Sequence, residues 1–153
     1  MSFSRLVPHI STHFAHNYVF MRDKKIIELR PELPNVTLPT IEDNNPILSI
    51  EVFQNQTLRP ILKLQHDLLV AIFSHNIVVR KNAFYNLPEK SRSEYVSHTL
   101  KNDLKFKNRL IGVIIGHFTL EEYSFFENNE AEITRRITDL LIQRLISAFI
   151  SHP

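Results

Sequence analysis

The sequence predicts an all-α protein, a compact bundle of about five helices preceded by an extended arm. Three observations carry this. From Gln54 onward the apolar residues fall at helical spacing, as in Leu58, Ile61, Leu62, Leu68, Leu69, Ile72 and Phe73. The 153 residues include only two glycines, Gly112 and Gly116, and no cysteine. Just after Gly116, Thr119 and Glu122 stand at capping-box spacing, so Gly112 to Tyr123 reads as a corner between two helices.

A hydrophobic share of 43% over this length is enough for a core built without disulfides or metals. The absence of cysteine excludes thiolate chemistry, iron–sulfur clusters and cysteine-bound zinc, and favours a cytoplasmic location. No apolar run approaches the ~20 residues of a membrane span. Met1 to Arg22 lacks acids and carries Ser, Thr and Arg, a composition shared with organelle-targeting segments. It has neither the apolar centre nor the cleavage site of a secretion signal.

Residues 1–53 are expected to form a separate arm, and residues 54–153 the helical domain. Pro8, Pro31, Pro34, Pro39 and Pro46 punctuate the arm, and Pro31 to Pro46 reads as extended chain. Asn17 to Met21 and Lys25 to Leu29 are β-prone runs around Arg22-Asp23-Lys24, which predicts a hairpin. Such a hairpin needs support from the body or from another subunit.

The first helix is expected from Thr57 to Ile77, capped by Asn55 or Thr57, with Pro60 in its first turn. Lys81 to Leu87 connects to a second helix from Pro88 to Leu100. Asn102 or Asp103 caps a third, which carries Leu104, Leu110, Ile111 and Ile114. The pair Gly112 and Gly116 predicts close packing and a helix end, and on that reading Gly116→Val breaks the fold. A fourth helix spans Leu120 to Glu127 and a fifth Glu130 to Ile150.

Charge is uneven along the chain. Thr57 to His117 carries a net +6, whereas Phe118 to Pro153 carries −3 and the first 56 residues −1. Arg80, Lys81, Lys101, Lys105, Lys107 and Arg109 therefore form a candidate surface for nucleic acid or an acidic partner. Arg135, Arg136 and Arg144 can bind a phosphate or an acidic group, or Arg136 can pair with Glu132 one turn earlier.

His9, His13 and His16 would share one helix face, as a metal requires, but no carboxylate lies near them in sequence. The Glu-x-x-His pairs of a di-metal bundle are absent, and Glu121, Glu122, Glu130 and Glu132 fall at helix starts, where the macrodipole accounts for them. No metal or other cofactor is implied. His117, at the corner, is the one candidate acid or base. Its structural alternative is a ring bonded to the free carbonyls of the preceding helix.

Phe53 to Gln65, Gly112 to Tyr123, and Arg135, Arg136 and the helix that follows resemble a family of small bacterial proteins. That family is largely uncharacterised, and some members carry the label glyoxalase. The resemblance covers roughly residues 53 to 147, implies a helical domain and assigns no catalytic residue. The leading expectation is a non-enzymatic helical interaction protein, either a homodimer or a subunit of a larger assembly. The alternatives are a small, glyoxalase-labelled enzyme using His117, and a nucleic-acid-associated factor using the basic surface from Arg80 to Arg109.

Overall fold

A computed structural model describes residues 21–32 and 46–150. His9, His13, His16 and most of the extended arm lie outside these residues. Every regular element among the described residues is a helix, and none of them is long and apolar enough to cross a membrane.

Helix α1 covers residues 21–28. The predicted hairpin is therefore corrected: its second strand, Lys25 to Leu29, lies in or beside a helix. The β-prone Ile26-Ile27 pair is outweighed by tertiary contacts, because Arg22, Asp23 and Arg30 all bond residues 116–122.

Helix α2 (Pro46–Phe53) runs through a π-helical turn (Gln54–Leu58) into α3 (Arg59–Leu64). The helix thus starts earlier than the sequence predicts, and Thr57 is a buried interior residue, not a cap. Pro60 explains the wide turn. It has no N–H to continue the ladder, and just before it the Arg59 N–H reaches back to the Gln54 carbonyl. At Gln65 (φ −93°, ψ 10°) the helix breaks again before α4 (His66–Val79).

The α4 end is a Schellman turn. The Asn82 N–H bonds Ile77 O (3.0 Å), the Lys81 N–H bonds Val78 O (2.9 Å), and Lys81 takes φ 58°. Helices α5 (Glu89–Asn102) and α6 (Leu104–Ile115) follow, with Asp103 accepting from the Phe106 N–H as N-cap of α6. Helices α7 (Leu120–Asn128) and α8 (Glu130–Ile150) complete the chain. Four of the five expected helices are present. The first, expected unbroken from Thr57 to Ile77, is divided at Gln65, and the expected count of about five falls short because α1, α2 and that break add elements.

Helix α8 is central, touching α4, α5, α6, α7 and the π turn. Its buried stripe Ile133, Ile137, Leu141 and Leu145 repeats every four residues, and each such side chain contributes about 1.5–3 kcal/mol on burial. Phe73 gathers Phe84, Phe106 and Phe149 within 6.1 Å of its ring. A second aromatic group, Phe53 against Phe118 and Phe125, ties α2 to the corner.

Candidate functional site

The corner between α6 and α7 is built as the sequence predicts at its α7 side. Thr119 Oγ1 accepts from the Glu122 N–H, and Glu122 Oε2 accepts from the Thr119 N–H at 2.8 Å. Gly116 ends α6 with φ −59° and ψ −15°, a right-handed conformation open to any residue. A Cβ at Gly112 would meet nothing within 4 Å, so the expected close packing against that glycine is absent.

What closes the corner is α1 and the turn after it. Arg22 donates to Gly116 O (3.2 Å) and Phe118 O (3.0 Å), and Arg30 donates to His117 O at 2.7 Å. These carbonyls are left free where a helix ends, and the partial negative charge there favours cations. Asp23 accepts from the Leu120 N–H at the positive start of α7. Arg30 also grips Glu122 through two bonds of 2.6 Å, and the Thr57 hydroxyl donates to Glu122 Oε1. Burial pushes the Glu122 carboxyl up, but the Arg30, Thr119 and Thr57 hydrogen bonds and the Arg30 charge together hold it below the usual carboxylate range.

Both ring nitrogens of His117 are engaged. Nδ1 lies 2.9 Å from Val113 O, which can only accept, so Nδ1 carries the proton. Nε2 then accepts from the Gln65 amide at 2.9 Å. The ring thus bonds a carbonyl at the end of α6 and pins α6 to the break between α3 and α4. No Ser, Cys or carboxylate bonds the ring among the described residues. A cleft of about 770 Å³ opens beside the corner, between Arg30, Glu32, Gln56 and Thr57, and His117 does not line it.

The basic residues divide. Arg135 bonds Glu132 and Asp139, and Arg136 bonds Glu132 and Gln54, the Glu132 contact being the predicted one-turn pair. The Arg135 and Arg136 hydrogen bonds bring Glu132 down to about 2. Arg80 pairs with Asp103. The Phe106 N–H holds that carboxyl low, with Arg80 and Arg109 adding to the effect against some desolvation. Lys81, Lys105 and Arg109 are exposed, Lys107 is half-buried, and none of them has a carboxylate partner within ion-pair distance among the described residues. No cluster of three metal-ligating side chains occurs among the described residues.

Sequence reasoning missed Arg22, Asp23, Arg30, Thr57 and Gln65 as parts of the corner. A helix end with several free carbonyls and one nearby histidine signals that donors must come from elsewhere, but not from where. No family model, curated protein or solved structure matches this chain.

Proposed function

We propose that the chain is a non-enzymatic helical interaction protein that joins a larger assembly through the end formed by α4, α5 and α6. One observation carries this reading: that end combines exposed apolar side chains with unpaired cations. The Arg80–Asp103 ion pair ties the end of α4 to the α5–α6 junction. Val79 and Leu104, each adjacent in sequence to one member of that pair, are 66% and 60% exposed. Val78 and Tyr85 are exposed as well. A groove of about 450 Å³ runs between Arg80, His98, Asn102 and Leu104.

Apolar contact area with a charged rim suits a protein partner with an acidic, partly apolar segment. The cations favour such a partner over a second copy of the same face, whose arginines and lysines would meet their equivalents. At the corner, by contrast, Arg30, Glu122, Thr57, Thr119 and His117 already bond one another or the backbone. An enzyme built on His117 would need to break one of these bonds before the ring could move a proton. The nucleic-acid reading rests on the same cations as the protein reading, with Tyr85 as the one exposed aromatic named at this end and no recognisable module in the sequence.

Site-specific photo-crosslinking in the source cell tests this. A photo-reactive residue at Leu104 is expected to give one discrete protein adduct that Val79→Asp removes, and the same residue at Glu127 is expected to give none. An adduct of twice the chain mass would assign a homodimer. A nuclease-sensitive adduct would move the reading to nucleic acid, and no adduct at Leu104 would sink it.

A further inference from the structure

A second cleft, of about 340 Å³, lies between α3–α4 and α8. It takes no part in the corner or in the α4–α6 end. Four basic side chains line it, Arg59, Lys63, His66 and Arg144, together with Gln143 and Ser147, and no Asp or Glu lines it. Arg59 and Lys63 are one turn apart on α3 and so share a face. Arg144 comes from α8 and is half-buried.

Arg144 is the decisive group. Its neighbours on α8, Arg135 and Arg136, each have a carboxylate. Arg144 has none within ion-pair distance among the described residues. Its guanidinium lies 3.4 Å from His66 Nδ1, the outer edge of hydrogen bonding. Desolvation without a compensating charge lowers its pKa. A half-buried guanidinium among like charges is unfavourable unless an anion completes the site.

We propose that this cleft binds the phosphate group of a small, soluble phosphomonoester. The Arg144 fork can hold two phosphate oxygens at once, and Lys63 and Arg59 supply charge against the dianion. The Ser147 hydroxyl and Gln143 amide add neutral donors. A carboxylate brings one charge and two oxygens, so it satisfies fewer of these groups. The volume sits at the lower end of small-ligand pockets. No aromatic side chain lines the cleft, so it has no platform for stacking a base. A compact hydroxylated body, as in glycerol phosphate or a sugar phosphate, fits this lining better than a nucleotide.

The test uses the full ¹⁵N-labelled chain, titrated with inorganic phosphate, glycerol 3-phosphate or AMP at constant ionic strength, and read by amide shifts and by melting temperature. Saturable shifts confined to α3, the start of α4 and residues 143–147 are expected, with glycerol 3-phosphate at least as tight as AMP. Arg144→Gln is expected to weaken binding at least tenfold and to abolish the phosphate-induced rise in melting temperature. Arg144→Lys keeps the charge but loses the fork and is expected to weaken binding about fivefold, which provides a reading if the glutamine variant folds poorly. Lys90→Gln, on the exposed start of α5, is expected to bind as wild type. Identical shifts with sodium chloride alone, or binding by Arg144→Gln within threefold of wild type, would overturn the site. AMP binding ten times tighter than glycerol 3-phosphate would overturn the assignment of a compact ligand.

Discussion

The end of α6 and the end of α4 face the same chemical problem, a set of backbone carbonyls with no further turn of helix to satisfy them, and they meet it differently. At α6 the last helical carbonyls are taken locally, Val113 O by the His117 ring and Ile114 O and Ile115 O by the His117 and Phe118 N–H groups, and distant donors secure the turn that follows: Arg22 and Arg30 take Gly116 O, His117 O and Phe118 O. The backbone there stays right-handed, even at a glycine. At α4 no distant donor arrives among the described residues. The chain satisfies its own carbonyls by turning left-handed at Lys81 and Asn82, with φ of 58° and 57°. The first solution leaves a corner whose polar groups mostly bond one another or the backbone, Arg30 Nε being a buried exception. The second leaves a strained, cationic turn beside exposed valines. This contrast supports the proposal that the first end does structural work and the second recognition.

The most damaging way to break the contrast is to remove the charge that anchors α1 to the corner. Arg30 and Glu122 side chains are 10% and 17% exposed, so losing one partner leaves a nearly buried charge uncompensated. Glu122→Gln is expected to cost about 3 kcal/mol, the low end for a broken buried pair. It should appear as a lower urea midpoint with an unchanged slope. A cost under about 1 kcal/mol would mean that α1 does not clamp the corner. The pH dependence has a definite sign. The folded carboxyl sits below its ordinary value of 4.5, so its stabilisation is complete above that value and is lost as pH falls through the lowered one. The wild-type urea midpoint should therefore fall with acid in that window more steeply than that of Glu122→Gln.

The parts of this arrangement that were legible in the sequence are the local ones. Thr119 and Glu122 are three residues apart and announce the capping box by spacing alone. The bounds of α8 were legible because acids open it and one apolar stripe runs to its end. The long-range part was not legible. Arg22 and Arg30 act across separations of about ninety residues, and the Ile26-Ile27 pair beside them carries a strand propensity that only docking reverses. The π turn was hidden for a related reason. Pro60 is a sound signal for a helix start, and only the wide turn before it lets a proline sit inside a continuing helix. Among the candidate cations, pairing decided which remained available. The one-turn spacing of Glu132 and Arg136 already announced their pair, and only three-dimensional placement shows that Glu132 also holds Arg135 while Arg144 is left without a carboxylate among the described residues.

A gentler change sharpens the other half of the comparison. Lys81 holds a left-handed conformation that costs a side-chain-bearing residue about 1 kcal/mol relative to glycine. Lys81→Gly is therefore expected to stabilise the fold by roughly that amount, a rise of about 2–4 °C in melting temperature for a chain of this size. The same substitution removes a cation from the recognition end, so crosslinking from Leu104 should weaken while stability rises. Opposite signs for stability and binding are the signature of strain kept at a functional surface. A stabilised variant that crosslinks as well as wild type would leave Lys81 with no part in recognition.

The smallest expected effect falls on the residue that looked most essential in the sequence. Gly116 has no left-handed torsion to protect, with φ at −59°. An added Cβ would stand 3.2 Å from Gly112 O and 3.7 Å from Val113 O. The first contact is tight and requires the helix end to yield by a few tenths of an ångström. Alanine also restricts the unfolded chain, which offsets part of that cost. Gly116→Ala is thus expected to change stability by no more than about 0.5 kcal/mol, measured by urea unfolding beside Glu122→Gln. The larger, β-branched Gly116→Val adds some helix-end crowding but meets no backbone prohibition, so folding is expected to survive it. If either variant instead unfolds the chain, the end of α6 depends on its own backbone after all, and the arginines from α1 would be only secondary support.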